Sequence, residues 1–221
     1  IYRRPDDGRV RCSIGSNEQQ QPHSWLRARA RLEPQLLIKA PPWVRGVFDH
    51  AWAPMTALAE GAATLPAPLL DTLQAIDRGY VLIAARESSY VPGPNTVRHL
   101  AVQNVAFVSV EDLAAGNERP LHVIGHLVDH HLGCGGAAEG GWLSEGEGIS
   151  VRLREAGARL PDLYALGYGV DDMALSGIRD YFAQSLAVYC RDPRRLNVAD
   201  PQIHKWFRTT LWNAGFWPDA A

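Results

Sequence analysis

The amino-acid sequence predicts an α+β fold, in which a small mixed sheet packs against a helix and a mainly helical part follows. The apolar run at residues 80–85 indicates a strand that is buried on both faces, and residues 100–110 indicate one or two further strands. Helical spacing of apolar residues marks the segments before the first of these strands, and further helical segments follow residue 134. Strands and helices that occur in separate runs along a chain are typical of the α+β class.

A polar N-terminal arm is predicted for residues 1–34, where three arginines alternate with other residues and extended apolar runs are missing. The remaining residues are predicted to form a single domain, which is within the ordinary size range for a chain of 221 residues. In this domain residues 35–133 carry the sheet, and residues 134–221 form the helical part.

Proline and glycine set the predicted limits of several elements. Gly79 is predicted to end the helix that precedes the first strand. Residues 87–97 are predicted to form a loop, because they contain Pro92, Gly93 and Pro94.

Composition narrows the classes of function. The formal net charge of −2 argues against a nucleic-acid partner, and no apolar run approaches the roughly 18 residues of a membrane span. The three cysteines are far apart and form no CxxC pair, which favours a reducing compartment such as the cytoplasm. A secreted protein whose signal peptide has been removed stays open as an alternative, because the chain begins at Ile1.

The most informative segment is the predicted helix LHVIGHLVDHHLG, residues 121–133. His122, His126 and His130 follow one another at intervals of four residues, which places them on one helix face. Two imidazoles at this spacing can bind one Zn²⁺. The pair of His122 and His126 is preferred, and the pair of His126 and His130 is kept as an alternative for a different metal hydrolase.

With glutamate in place of Val123, this helix resembles the HExGHxxDxxxG helix of gluzincin zinc peptidases of the anthrax lethal factor and Pro-Pro endopeptidase type. The resemblance covers roughly residues 64–192. It implies that His122 and His126 bind zinc and that Val123 occupies the place of the general-base glutamate. Because valine cannot accept a proton, the resemblance implies a site with impaired activity.

The same resemblance implies a third ligand on a later helix. The segment DYFAQ places Asp180 at the position of the family's third zinc ligand and Gln184 at that of a further glutamate. Gln184 is expected to accept a hydrogen bond from a ligand histidine. Glu145 and Glu147, which lie 19 and 21 residues after His126, stay open as alternative ligands.

Two further side chains are candidates for supporting roles. The family places a tyrosine near the third ligand to stabilise the developing oxyanion, and Tyr168 or Tyr164 is the nearest candidate here. Asp129 matches the aspartate that follows the second histidine of the motif, so either support of a ligand or a place on the helix surface is expected.

Two classes of function follow from these residues. The first is a zinc metallopeptidase that binds a peptide or protein substrate along an exposed sheet edge, predicted to be the strand at residues 100–110. The second is a non-catalytic protein that uses the same cleft to hold zinc, a peptide partner or both. The substitutions at Val123, Asp180 and Gln184 relative to the family motif favour the second class when they are taken together.

Overall fold

The structure is a computed structural model that describes residues 24–76, 78–97 and 99–217. Within these residues it confirms a mixed α+β fold with one four-stranded mixed sheet. The strands are β1 (Ala30–Leu32), β2 (Tyr80–Ala84), β3 (Ser89–Val97) and β4 (Leu100–Ser109). Their order in the sheet is β1-β2-β4-β3, so β1 and β3 lie at the edges.

The direction of the strands differs across the sheet. β1 pairs with β2 and β2 pairs with β4 in parallel, whereas β3 pairs with β4 in the antiparallel direction. The expected edge strand at residues 100–110 is therefore wrong, because β4 has a neighbour on each side. β2 and the half of β4 that pairs with it are almost fully buried, which accounts for their apolar runs, whereas residues 100–103 of β4 are mostly exposed.

The expected loop at residues 87–97 is also wrong, since this segment forms the edge strand β3. Pro92 and Pro94 are tolerated because an edge strand needs backbone donors on one side only. The β3–β4 register is irregular between Val91 and Pro94, which is the point where the prolines interrupt the ladder.

Part of the predicted arm belongs to the folded domain. Residues 24–32 form a helix, α1 (Ser24–Arg29), followed directly by β1. Trp25 is 1% exposed and Leu26 is 2% exposed, so both pack in the main core in spite of the polar residues around them. Residues 1–23 of the predicted arm lie outside the described residues.

Short helices connect β1 to β2. They are α2 (Leu36–Lys39), α3 (Pro42–Val47), α4 (Ala53–Ala62) and α5 (Ala67–Ala75). A proline stands in the first turn of α3, α4 and α5. Backbone amides in the first turn make no hydrogen bond within the helix, so the missing amide hydrogen of proline costs nothing there.

The predicted helical C-terminal part is confirmed. After β4 the chain forms α6 (Val110–Ala115), α7 (Arg119–Cys134), α8 (Val151–Gly157), α9 (Leu160–Ala165), α10 (Ile178–Arg191), α11 (Pro193–Ala199) and α12 (Pro201–Thr209), with short 3-10 turns at Leu143–Glu145 and Ala214–Phe216. The buried helix α7 contacts both the sheet, through β4 and β3, and the helix α10. In the part of the chain that the structure describes, no helix is both long enough and apolar enough to cross a membrane.

Candidate metal centre

Two histidines of α7 meet at the surface that faces α10. His122 and His126 are one helical turn apart, and their Nε2 atoms lie 3.0 Å from each other. His122 is buried, whereas His126 remains partly exposed. The spacing of four residues therefore brings two imidazole nitrogens to one point, as the sequence predicts.

Asp180, in the first turn of α10, completes the group. Its Oδ1 atom lies 3.5 Å from Nε2 of His122 and 3.4 Å from Nε2 of His126. Among the described residues, these three form the one group of histidine, cysteine or acidic side chains placed to hold a metal ion. Donors bound to one tetrahedral zinc ion lie about 3.3 Å apart, given zinc–nitrogen distances of roughly 2.0–2.1 Å, so the observed separations fit such an ion.

Gly125 lets α10 come close enough for the short Asp180 side chain to reach the histidines. A Cβ atom on Gly125 would lie 2.8 Å from Cα of Ala183, which is closer than real Cβ contacts. Any other residue at position 125 would therefore push α10 away from α7.

The electrostatics of the group suit a cation. Burial, and then the nearby His126, lowers the pKa of His122 to about 4, so its imidazole is neutral at pH 7. The pKa of the Asp180 carboxyl is lowered, chiefly by its hydrogen bond with His126, so Asp180 is ionised. A neutral imidazole and a carboxylate are the forms of these side chains that bind metals.

Gln184 lies beside His122, as the resemblance implies. Its Oε1 atom is 3.0 Å from Nδ1 of His122, and its side chain is buried between α7 and α10. Hydrogen bonds of this kind orient a metal-binding imidazole and fix which nitrogen carries the proton.

The alternative acidic ligands lie outside the three-residue group. Glu145 forms an ion pair with Arg179, with 2.7 Å between Oε1 of Glu145 and Nη2 of Arg179. Glu147 is exposed, and its Cγ packs against Gly141.

His130 is likewise outside the group, because both of its ring nitrogens have other partners. Nε2 lies 3.0 Å from the carbonyl oxygen of Ala137, which can only accept a hydrogen bond. Nδ1 lies 2.8 Å from the hydroxyl of Tyr90. The structure therefore does not bring His126 and His130 together as a metal site.

Asp129 is fully buried and supports a loop rather than a ligand histidine. Its two carboxyl oxygens accept hydrogen bonds from the backbone N–H and the hydroxyl of Ser144, each at 2.7 Å. Burial raises the pKa of Asp129 to about 7, against the opposing effect of these hydrogen bonds. The contact ties the 3-10 turn at Leu143–Glu145 to α7.

Asp129→Ala should lower the free energy of unfolding by about 2–4 kcal/mol, because two buried donors on Ser144 would lose their partners. Chemical denaturation measures this change. Asp129→Asn is the matched control: it keeps one oxygen for the Ser144 amide, so its loss should be less than half as large. Equal losses for the two variants would contradict the assigned role of these hydrogen bonds.

Val123 and the two tyrosine candidates lie in different surroundings. Val123 is 2% exposed and packs within the main hydrophobic cluster. Tyr168, the expected oxyanion partner, is 51% exposed in the segment between α9 and α10. Tyr164 donates its hydroxyl to the Leu175 carbonyl and contacts the ring of Tyr181.

Two further side chains contact the His126 ring and a third lies against one of them, although the sequence did not mark any of them as a candidate. Tyr90 on β3 stacks against the His126 ring, with 6.3 Å between ring centroids, and Trp142 contacts it edge-on at 6.0 Å. The guanidinium of Arg179 lies over Trp142 at 4.3 Å from the ring centroid. The position of Arg179 next to Asp180 was a usable signal, whereas Tyr90 was hidden by the expectation of a loop.

Comparisons of the chain with protein-family models, curated proteins and solved structures give no match. The fold and the donor set define an α+β protein with a candidate metal centre formed by His122, His126 and Asp180. Any narrower assignment depends on the chemistry of these residues.

Proposed function

We propose that this chain is a zinc-binding protein of the gluzincin peptidase type, with a cleft for peptides and an impaired hydrolytic step. The observation that carries the proposal is the convergence of His122 Nε2, His126 Nε2 and Asp180 Oδ1 at separations of 3.0–3.5 Å. Two imidazoles and one carboxylate are a known ligand set of catalytic zinc sites, in which a fourth position stays open.

Zinc, when bound, supplies a Lewis acid that activates a water molecule and polarises a carbonyl group. Peptide hydrolysis also needs a group that takes a proton from the water and passes it to the leaving amine. The hydrocarbon side chain of Val123 can do neither. Loss of a general base lowers a rate by about 10²–10⁴, so we expect slow cleavage at best.

A peptide substrate or partner fits best along β3, because this edge strand adjoins the metal centre through Tyr90. An extended chain would add to the sheet by backbone hydrogen bonding. Pro92 and Pro94 have no amide hydrogen, so pairing would be concentrated on residues 89–91. This part of β3 carries the tyrosine that stacks on His126.

A second candidate function is non-catalytic binding of zinc, a peptide or both. Burial of Val123 in the main hydrophobic cluster favours this candidate, because the position is packed as part of a core rather than left open to a substrate. The two candidates share the metal centre and the β3 edge, and they differ in whether a carboxylate at position 123 would produce activity.

The metal centre is tested by the metal content of the purified protein and by titration after treatment with a chelator. We expect about one zinc ion per chain, loss of binding in Asp180→Ala, and unchanged binding in the control Glu145→Gln. Iron also accepts two imidazoles and a carboxylate, so elemental analysis must distinguish the two metals. A wild-type chain that takes up neither metal would refute the proposal, and a preference for iron would replace zinc in it.

A further inference from the structure

The amide of Gln184 has a hydrogen-bond partner on every side. Its Nε2 atom lies 3.1 Å from Oε2 of Glu118 and 2.7 Å from Oδ2 of Asp171. Its Oε1 atom faces Nδ1 of His122 at 3.0 Å. Two donors and one acceptor of the amide are thus matched by two carboxylates and one imidazole.

The two carboxylates are themselves held in place from other elements. The second oxygen of Glu118 accepts from the guanidinium of Arg195 on α11 at 2.7 Å. The second oxygen of Asp171 accepts from the backbone N–H of Ala174 at 3.1 Å. Because ionised carboxylates can only accept hydrogen bonds, they require the NH₂ end of Gln184 to face them.

We propose that Glu118 and Asp171 are positioning residues that fix His122 in its metal-binding tautomer before any metal arrives. With the NH₂ group of Gln184 directed at the carboxylates, its oxygen must accept a proton from Nδ1 of His122. Nε2 of His122 then carries the lone pair, and this nitrogen faces His126 and Asp180. The functional role of this tautomer rests on the proposed metal centre. The tautomer itself is a property of the metal-free chain.

The two histidines are not equivalent under this arrangement. Nε2 of His126 lies 3.0 Å from Nε2 of His122 and 3.4 Å from Oδ1 of Asp180, so it faces two acceptors and must carry a hydrogen. His126 therefore carries its proton on Nε2 in the metal-free chain, and that proton must leave when a metal binds. His122 is preset for the metal, whereas His126 has to change its tautomer.

The same contacts explain glutamine at position 184. A glutamate there would be a third carboxylate beside Glu118 and Asp171, and neither of its oxygens could donate to them. The glutamine thus suits this chain, in which the acceptor for His122 must also donate to two carboxylates.

The double variant Glu118→Gln and Asp171→Asn tests the proposal with isosteric changes. Arg195 and the Ala174 amide still need acceptors, so each new amide must turn its NH₂ group towards Gln184. The NH₂ groups of the two new amides would then face the NH₂ group of Gln184, so the Gln184 amide should rotate by about 180° and present its oxygen to them. Its NH₂ group would donate to Nδ1 of His122, which would move the His122 proton onto Nε2.

Nitrogen-15 NMR of the imidazole side chains, recorded on the metal-free protein at pH 7, reads the tautomer directly. We expect the wild type to carry the His122 proton on Nδ1 and the double variant to carry it on Nε2. Zinc affinity should fall by about 10–100-fold in the double variant, as is typical when partners of a ligand histidine are lost. The control is Asp172→Asn, which removes one negative charge from an exposed neighbour of Asp171 and should change neither readout.

The wild-type spectrum decides the proposal even if the double variant does not fold. A His122 proton on Nε2 in the wild type would overturn it, as would an unchanged tautomer in a folded double variant. If the tautomers behave as expected but no metal binds to the wild type, the positioning role stands and the proposed metal centre falls.

Discussion

We expect His126→Ala to abolish zinc binding. Loss of a residue that only hydrogen-bonds to a ligand histidine lowers metal affinity by about 10–100-fold, and loss of a ligand itself should cost more. The substitution removes one of three converging donors and leaves His122 and Asp180 to hold the ion alone. Zinc uptake measured by competition with a chromophoric chelator gives the affinity of each variant.

The stabilisation by zinc should disappear together with its binding. A ligand at about 1,000 times its dissociation constant stabilises the folded state by roughly 4 kcal/mol, which appears as a rise in melting temperature. Wild type should show this rise, and His126→Ala should not. His50→Ala removes an exposed histidine and serves as the matched control. Stoichiometric zinc in His126→Ala would show that the ion sits elsewhere.

The second large effect is expected for Val123→Glu, which places a carboxylate where the gluzincin motif has one. If the proposed peptidase chemistry is intact apart from this position, hydrolysis of a peptide library should rise by about 10²–10⁴ over the wild type. A chelator should remove the gained activity, and added zinc should return it. Glutamate is a good helix former, so α7 should keep its helical structure.

Burial of Val123 makes this variant a test of stability as well. An unpaired carboxylate in the hydrophobic cluster should lower the free energy of unfolding of the metal-free protein by roughly 3–5 kcal/mol. If the new side chain faces the metal, zinc should recover a large part of this loss. Thermal unfolding with and without zinc measures the recovery.

Val123→Gln is the control for these measurements, because it has nearly the same size as the glutamate variant and cannot serve as a carboxylate base. It should remain inactive. A Val123→Glu variant that binds zinc, folds and stays inactive on a broad peptide library would favour the non-catalytic candidate. In that case Asp180, Gln184 and Val123 belong to a site adapted for binding.

The local pattern of the chain predicted several features correctly. The α+β class, the buried strand near residues 80–85, a strand within residues 100–110 and the helical C-terminal part all follow from apolar patterns. The interval between His122 and His126 fixes two imidazoles on one side of α7, because a helix repeats every 3.6 residues. These features depend on residues that are close together in the sequence.

The tertiary structure decided the features that depend on distant partners. β3 is a strand because β4 supplies its hydrogen bonds. The prolines within residues 87–97 favoured a loop when the sequence was considered locally. β1 belongs to the sheet because β2 lies beside it, although its flanking residues are polar.

The same distinction holds at the candidate metal centre. Asp180 reaches the histidines because Gly125 admits the backbone of Ala183. His130 has the same spacing from His126 as His122 has, but its nitrogens face Tyr90 and Ala137. Sequence spacing therefore determined which side chains could share a helix face, whereas packing between segments determined which of them meet, because hydrogen-bond partners come from elements far apart in the chain.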